Sequence, residues 1–527
     1  MANSRATRPP VLQAGVLFAL ICAAPLLAFY SENVHEQLNF GRLAGYWLML
    51  VAAATLVYQG LAFVFRSRTA WLASVWAVLL FVLFSYIDVL GFLGELGFDR
   101  GAQRLGWIVF GSVALLLAVL LGARRGFQQF LFVFALLSLV SPLWLIFSLW
   151  RELPSQGPAL PLAEAYPLEG NAIWSGVALR KPNIYWILAD SYPNLAELGK
   201  HYAYDNTPFL EALEARGFYV AREAHSNYSD TRLSVPAMLN MEYPFLAGEN
   251  YATPIGRGWA PNPGKTNRGT VAAVVGDNRA VGFLRQLGYR YVHFEGRSFN
   301  LTRCRGFEDL CLRIEGAGFS ELDVSLLQRV PTDLFVEWVL RMPPGTRPRP
   351  MPHESGTGIP ELGSAIEALE IEGPFFLYAH LSVPHAPFLV DEDCRVGALL
   401  VSRRSFSRQL RCVNEQLLGL VDQIQKADPE AIVLLSGDHG PRMTIKPGTP
   451  LFRWNAEQIR ESLGILNALY LPAECRRGLH PGLTPVNDMR IVFACLGGHG
   501  PRLLPEEHFV ARGGPPDGGK IRRVTLK

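Results

Sequence analysis

Along the first 150 residues, polar positions are confined to short interruptions, and the stretches between them are apolar on every side. Five runs emerge, at about 11–30, 43–65, 70–94, 106–123 and 127–150, and Asp88 is the only charge inside any of them. Each run approaches the about 20 residues that an α-helix needs to cross the hydrocarbon core of a bilayer. A helix in a water-soluble core keeps its apolar residues on one stripe. These runs have no polar face, and five in succession argue for transmembrane helices. A cleaved secretion signal is disfavoured by the length of the first run and by the four that follow.

After residue 150 the pattern changes. Residues 151–180, with "LPSQGPALPLAEAYPLEG", are rich in Pro, Gly and Ala and read as a tether. Residues 181–527 then alternate short apolar runs with helix-period segments. "PNIYWILAD" (182–190), "GPFFLYAHL" (373–381) and "AIVLLSGDHG" (431–440) predict buried strands ending in polar groups, and "FYVAREA" and "GILNALYLP" (464–472) predict two more. "NTPFLEALEARG" (206–217) predicts a helix capped by Asn206 or Thr207, with Pro208 in its first turn and Gly217 as its stop. Residues 405–427 are helical by period, and "LSVPAMLN" after Thr231 can begin another helix.

The alternation predicts an α/β fold: a five-helix transmembrane anchor (1–150), a linker (151–180) and a domain (181–527) built on a mainly parallel central sheet. In such sheets functional groups gather at the carboxyl ends of the strands. Asp190, His380, His385, Asp438 and His439 all fall at or just after such ends. Two long Gly/Pro-rich segments, 252–270 and 341–360, read as surface loops or lids.

Charge orients the anchor. Arg5 and Arg8, Arg66 and Arg68, and Arg124 and Arg125 fall on one side of the five spans, which the positive-inside rule makes cytoplasmic. The opposite loops carry Arg42, Arg100 and Arg104, but Glu32, Glu36, Glu95 and Asp99 accompany them. Everything after residue 150 is then expected outside the cytoplasmic membrane. Cysteine usage agrees: Cys22 lies in the first run, and the other six of the seven cysteines all follow residue 150. An even number in an oxidising compartment suggests disulfides. Closeness in sequence suggests Cys304–Cys311, Cys394–Cys412 and Cys475–Cys495, one of the 15 pairings that six cysteines allow. No C-x-x-C is present to favour a zinc cluster instead, and a net charge of +3 is too small to suggest nucleic-acid binding.

The candidate chemistry lies at the strand ends. In Asp438-His439-Gly440 a carboxylate and an imidazole stand side by side, a pairing that suits a borderline divalent metal such as zinc, and Gly440 would let the backbone turn sharply. Asp190 would add a third ligand. A fourth is available in "SNYSDTRLSVPAM" (226–238): a threonine or serine oxygen on a metal loses its proton more readily and becomes a nucleophile. Thr231 would lie near a helix N-terminus, where backbone N–H groups favour a phosphate or sulfate anion. Local sequence leaves open that Ser229, Asp230 or Thr231 only caps that helix.

"PNIYWILAD", "NTPFLEALEARGFYV", "TRLSVPAML", "LSVPHAPF" and "LLSGDHG" follow one another in an order that resembles the alkaline phosphatase-like sulfatase superfamily. The five-span anchor with an exported domain resembles its bacterial phosphoethanolamine transferases and its lipoteichoic acid synthase-like phosphoglycerol transferases. That resemblance implies Asp190, Thr231, Asp438 and His439 as ligands of one divalent ion, zinc first, with Mn2+, Mg2+ or Ca2+ as alternatives. Thr231-Arg232-Leu233-Ser234-Val235-Pro236-Ala237-Met238 fits the transferases' Thr-x-x-Ser-x-Pro-x-Met and makes Thr231 the nucleophile. His385 in "PHAP" matches the histidine that contacts the transferred or leaving group. His380, Asn227, Arg232 and Arg442 are candidates to line the substrate pocket. The sulfatase motif Cys/Ser-x-Pro-x-Arg is absent, Ser191 stands where sulfatases tend to have a second aspartate, and "PRMTIKPG" follows "DHG" in place of the transferases' further polar residues.

The expectation is a monomeric, multi-pass protein of the bacterial inner membrane whose periplasmic domain moves a phospholipid head group, through Thr231, to an envelope glycan or lipid. The alternatives are a hydrolase of phosphate or sulfate esters on the same scaffold and a catalytically silent envelope scaffold. His293 reads as a core or edge residue, and His353 and His499 receive no role.

Overall fold

The computed structural model describes residues 11–32, 40–96, 98, 100–152, 167–168, 170–171, 173–174, 178–245, 274–296, 302–313, 326, 329–331, 356–386, 388, 390–395, 402–445, 449–511 and 521–526. The predicted loop 252–270, most of 341–360, most of the tether, and Arg5, Arg8 and His353 lie outside them. The chain forms two compact units, Met1–Pro154 with Asp323–Glu337, and Ser155–Leu322 with Trp338–Lys527.

The first unit is helical: α1 (Val11–Glu32), α2 (Phe40–Val64), α3 (Thr69–Phe84), α4 (Tyr86–Glu95), α5 (Arg100–Leu121), α6 (Arg125–Leu137) and α7 (Val140–Glu152). Among the described residues five segments are long and apolar enough to cross a membrane: Gln13–Ser31, Leu43–Val64, Arg66–Phe84, Gly101–Leu121 and Arg125–Phe147. The protein is a multi-pass membrane protein. The third and fifth predicted runs each break into two helices, at Ser85 and at Ser138-Leu139. Both serine hydroxyls turn back on the preceding turn, Ser85 onto the Val82 carbonyl (2.9 Å) and Ser138 onto the Ala135 carbonyl (2.8 Å), in competition with the helical ladder. Tryptophan N–H groups tie the helices together by donating to neighbouring backbone carbonyls: Trp47 to Ala19, Trp71 to Val119, Trp76 to Ala54 and Trp107 to Val82. In an apolar surrounding such donors need a partner. Asp88 stands 3.8 Å from the Arg329 guanidinium, which also lies over the Phe29 ring.

The second unit is an α/β domain with a seven-stranded sheet. Its strands are β1 (Ile184–Ala189), β2 (Tyr219–Val220), β3 (Arg290–Glu295), β4 (Leu310–Arg313), β5 (Phe375–Leu381), β6 (Ile432–Ser436) and β7 (Asn467–Tyr470), in the order β2-β7-β6-β1-β5-β3-β4. All pairings from β6 through β4 are parallel, and β7 joins β6 and β2 antiparallel. β1 is central and buried along its whole length. Ile184, Trp186 and Leu188 enter the core on one side of the sheet, and Tyr185, Ile187 and Ala189 the core on the other. A strand covered on both faces reads as an uninterrupted apolar run, which is why "IYWILA" was legible. Around the sheet run α8 (Leu195–Tyr202), α9 (Thr207–Ala215), α10 (Thr231–Asn240), α11 (Arg279–Gln286), α12 (Ile359–Glu367), α13 (Arg403–Ala427), α14 (Ala456–Leu463) and α15 (Asp488–Gly497). A small hairpin, β8 (His508–Ala511) and β9 (Ile521–Val524), ends the chain.

Three disulfides join Cys304–Cys311, Cys394–Cys412 and Cys475–Cys495, as closeness in sequence suggested, and Cys22 is free. "FYVAREA" supplies only the two-residue β2: the Ala221 N–H still reaches the Asn467 carbonyl of β7, and the chain then turns, with the Ala224 N–H donating back to the Ala221 carbonyl.

Candidate metal centre and nucleophile

β1, β5 and β6 are adjacent and parallel, so their carboxyl ends lie side by side. Asp190 follows β1, His380 is in β5, and Asp438 and His439 follow β6. Gly437 and Gly440 let this end close tightly. A Cβ on Gly437 would come within 2.5 Å of the Tyr192 carbonyl, and one on Gly440 within 1.7 Å of the Glu461 carbonyl. Gly440 is therefore required for close approach of another backbone segment, not for the sharp turn expected from sequence.

Thr231 is the first residue of α10, and the residue before it is the cap. Asp230 is extended and its carboxylate accepts the Arg232 N–H, so the capping duty that sequence left open among three residues falls to Asp230. The Thr231 hydroxyl is left to face the strand ends. Its Oγ1 donates to Asp438 Oδ2 at 2.6 Å and lies 3.1 Å from His439 Nε2.

The rest of the cluster is fixed by hydrogen bonds. Asp438 is fully buried, and its Oδ1 accepts the backbone N–H groups of Ser191 (3.0 Å) and His439 (2.9 Å). His439 Nδ1 is 2.9 Å from the Gly440 carbonyl, a contact only an Nδ1–H can satisfy. That tautomer turns the bare Nε2 toward Thr231 Oγ1, Asp438 Oδ2 (3.6 Å) and Asp190 Oδ1 (3.8 Å). Ser191 sits in the left-handed region (φ 62°), uncommon for a residue with a side chain, and its hydroxyl donates to Asp190 Oδ1 at 3.0 Å. Ser226 donates to the Asp438 main-chain carbonyl and braces the same turn.

Ligand atoms of Asp190, Asp438 and His439 all lie within 4.8 Å of one another. Among the described residues no lysine or arginine forms an ion pair with either carboxylate. Two carboxylates this close, one fully buried, with a bare imidazole nitrogen and a hydroxyl beside them, form an oxygen-rich donor set with one nitrogen. That set fits a divalent cation of the zinc type, and the missing positive charge is what such an ion supplies.

The histidines divide. Burial pushes the Asp190 carboxyl up, but His385, His380 and His439 outweigh it and hold the carboxyl well below the usual range. His380 is 2% exposed, with no hydrogen-bond partner on either ring nitrogen and Asp190 Oδ2 as its neighbour at 3.6 Å. Burial disfavours its charged form, and the Asp190 carboxylate reverses this and raises its pKa. His380 thus stands beside Asp190, not in a substrate-lining position, where it can orient a ligand carboxylate. His385 is partly exposed, with its ring centroid 6.4 Å from that of His439.

Arg232 and Arg442 converge on Asp230, at 3.3 and 4.0 Å, and with burial opposed by their charges the Asp230 carboxyl falls to about 2. Arg442 is a second left-handed residue (φ 57°). Both were candidates to line the substrate pocket, and the structure sets both guanidinium groups beside the residue that precedes Thr231. Asn227 corrects that expectation. It is 1% exposed, its amide donates to Tyr243 Oη and to the Glu507 carbonyl, and its Oδ1 accepts Val486 N–H, so its polar atoms brace the loop. His293 is buried in β3, between Tyr291 Oη and the Thr302 carbonyl.

Sequence reasoning missed Ser226 as a brace and Glu461 altogether. Glu461 is buried and accepts from the Tyr202 hydroxyl and from the N–H groups of Met443 and Thr444, which anchors the segment after "DHG". Nothing in the local sequence marks it, since its partners are far away or in a loop.

No curated protein matches the chain. Among solved structures it is similar to the C-terminal periplasmic domain of EptC from Escherichia coli (11% identity, TM-score 0.38, 66% of this chain and 94% of that one). It is similar also to the phosphonate monoester hydrolase of Agrobacterium radiobacter (12%, 0.40, 64% and 82%). A third is the integral membrane lipooligosaccharide phosphoethanolamine transferase A from Neisseria meningitidis (13%, 0.37, 88% and 89%). The Sulfatase family model matches residues 362–463. The stretch that holds His380, His385, Asp438 and His439 thus falls within the residues that the Sulfatase model matches, in line with the superfamily that the ordered motifs resemble.

Proposed function

We propose that this chain is a membrane-anchored phosphotransferase that takes a phospholipid head group, phosphoethanolamine or phosphoglycerol, onto Thr231 and passes it to a hydroxyl of an envelope glycan or lipid. The observation that supports it is the placement of Thr231 Oγ1, at the start of α10 and within 3.1 Å of both Asp438 Oδ2 and His439 Nε2. Asp190, Asp438, His439 and Thr231 would hold the divalent ion, which would lower the pKa of the hydroxyl and neutralise phosphate charge. Asp438 Oδ2 takes up the hydroxyl proton and Oγ1 attacks phosphorus. The bond from phosphorus to the diacylglycerol oxygen breaks, and His385 gives that oxygen its proton. Arg232 and Arg442 attract the non-bridging phosphate oxygens. The acceptor hydroxyl then attacks phosphorus and gives its proton to His385, while the bond from phosphorus to Thr231 Oγ1 breaks and Asp438 returns the proton to that oxygen. The work would be done on the outer face of a bacterial inner membrane, a reading that the arginine bias of the short loops supports, with the chain acting as a monomer.

The test is peptide mass spectrometry of the purified chain incubated with a phospholipid mixture, beside Thr231→Ala. A head-group mass on Thr231, absent from Thr231→Ala, is the expected result; an adduct that persists in Thr231→Ala refutes the mechanism. With water as the acceptor the same intermediate gives a hydrolase, the second reading that the Sulfatase match supports. Free head group with no modified acceptor would select it.

A further inference from the structure

At the arginine-bearing end of the first unit, α1, α3 and α6 line a partly open cavity of about 480 Å³, within the roughly 300–1,000 Å³ of small-molecule sites. Its wall is apolar, with Leu17, Ala73 and Phe132, and its rim is polar, with Gln13, Arg125 and Gln128. Among the described residues no acidic side chain lines it. The rim is fixed in place. Ser74 Oγ and Gln128 Nε2 both donate to the Gly122 carbonyl at 3.0 Å, which pins the turn between α5 and α6 against α3. Gly122 has no room for a side chain, since a Cβ there would come within 2.4 Å of the Ala118 carbonyl and 3.2 Å of Ser74 Cβ. The three lining helices all begin at this end, at Val11, Thr69 and Arg125, so the positive ends of their dipoles add to the Arg125 charge.

We infer that this cavity is a binding site for one anionic phospholipid, with part of an acyl chain against Leu17, Ala73 and Phe132 and the phosphate at Arg125, Gln13 and Gln128. The apolar wall within a set of membrane spans selects a lipid over a soluble anion. The one charge on the described rim, Arg125, selects an anionic over a zwitterionic head group, whose ammonium would meet Arg125 with no carboxylate on that rim to receive it. The site is separate from the candidate metal centre and does not depend on the proposed transfer reaction.

Native mass spectrometry of the full chain in mild detergent, with added phosphatidylglycerol or phosphatidylcholine, tests this. One phosphatidylglycerol per chain is expected, bound at least about ten-fold more tightly than phosphatidylcholine, the counterpart of about 1.4 kcal/mol. Arg125→Gln should erase the preference. Arg66→Gln, at the same end but outside the cavity, should keep it. Val133→Trp, which fills the apolar side, should expel the lipid, and serves if Arg125→Gln does not fold. Equal retention of the two lipids, a preference that survives Arg125→Gln or Val133→Trp, or an equal loss in Arg66→Gln would each overturn the inference.

Discussion

Replacing Asp438 by asparagine separates the folding role of this residue from its affinity for an ion. Asp438 Oδ1 receives two backbone N–H groups, from Ser191 and His439, and an asparagine oxygen can keep both. The new amide would then face Thr231 Oγ1, whose hydroxyl can rotate to accept. The metal-free variant also loses the repulsion between Asp438 and Asp190, so it should fold with Tm within a few degrees of the parent. The effect should appear on adding zinc. A ligand at 100 times its Kd stabilises a folded unit by about 2.7 kcal/mol. For a cooperative unit of roughly 350 residues the unfolding entropy is about 0.7 kcal/mol/K, so the parent chain should gain about 4 °C. Asp438→Asn removes one of two anionic ligands. With Kd raised about 100-fold, the same zinc concentration adds about 0.4 kcal/mol, less than 1 °C. Thermal unfolding of the chelator-treated full chain, with and without zinc, followed by tryptophan fluorescence, reads both arms. A parent chain that gains nothing from any divalent ion, or an Asp438→Asn chain that gains as much as the parent, would refute the ligand assignment.

Other perturbations follow from the same geometry. Gly440→Ala forces a Cβ to within 1.7 Å of the Glu461 carbonyl, so it should cost more than about 4 kcal/mol or abolish the folded domain. Gly419→Ala, in α13 with open space around it, should instead stabilise by about 0.5–1 kcal/mol, and denaturant titration compares the two. Burial lowers the His293 pKa to about 4. Between its ordinary pKa near 6.5 and about 4, the unfolded chain takes up the proton that the folded one refuses. Stability present above that window is therefore lost as pH falls through it, by roughly 3 kcal/mol in full. His293→Gln should flatten a stability–pH curve over that range, and a curve of unchanged slope would contradict the assignment. Arg442→Gln should lower kcat/KM for phospholipid about ten-fold or more, with Arg442→Lys recovering part of it, while the zinc-induced rise in Tm stays intact.

How legible these features were depended on where each residue's partners lie. The spans, β1, β5 and β6 are set by what covers them, lipid or two layers of core, and a segment buried all round must be apolar throughout. Asp190, Asp438 and His439 stood out because each interrupts such a run at its end. Local sequence left Thr231 as one of several hydroxyls and the resemblance singled it out, while the structure gives the cap to Asp230 and leaves the Thr231 hydroxyl for the strand ends. Ser191 and Arg442 owe their importance to backbone angles that no side-chain pattern announces, and Asn227 looked available for substrate because its three partners come from residues 243, 486 and 507. The breaks at Ser85 and Ser138 were hidden for a related reason: apolar composition marks a span but not where the helix within it is interrupted.

The contact between Thr231 and His439 joins residues 208 positions apart. A ribosome adding 5–20 residues per second needs roughly 10–40 s to pass from one to the other. Throughout that interval the threonine has been made while Asp438 and His439 have not. The growing chain is thus chemically mute beside the very lipids it is proposed to consume, and gains reactivity only when β6 slots in beside β1. A timer of this kind needs no inhibitor and no propeptide. It is written into the order in which adjacent strands leave the ribosome.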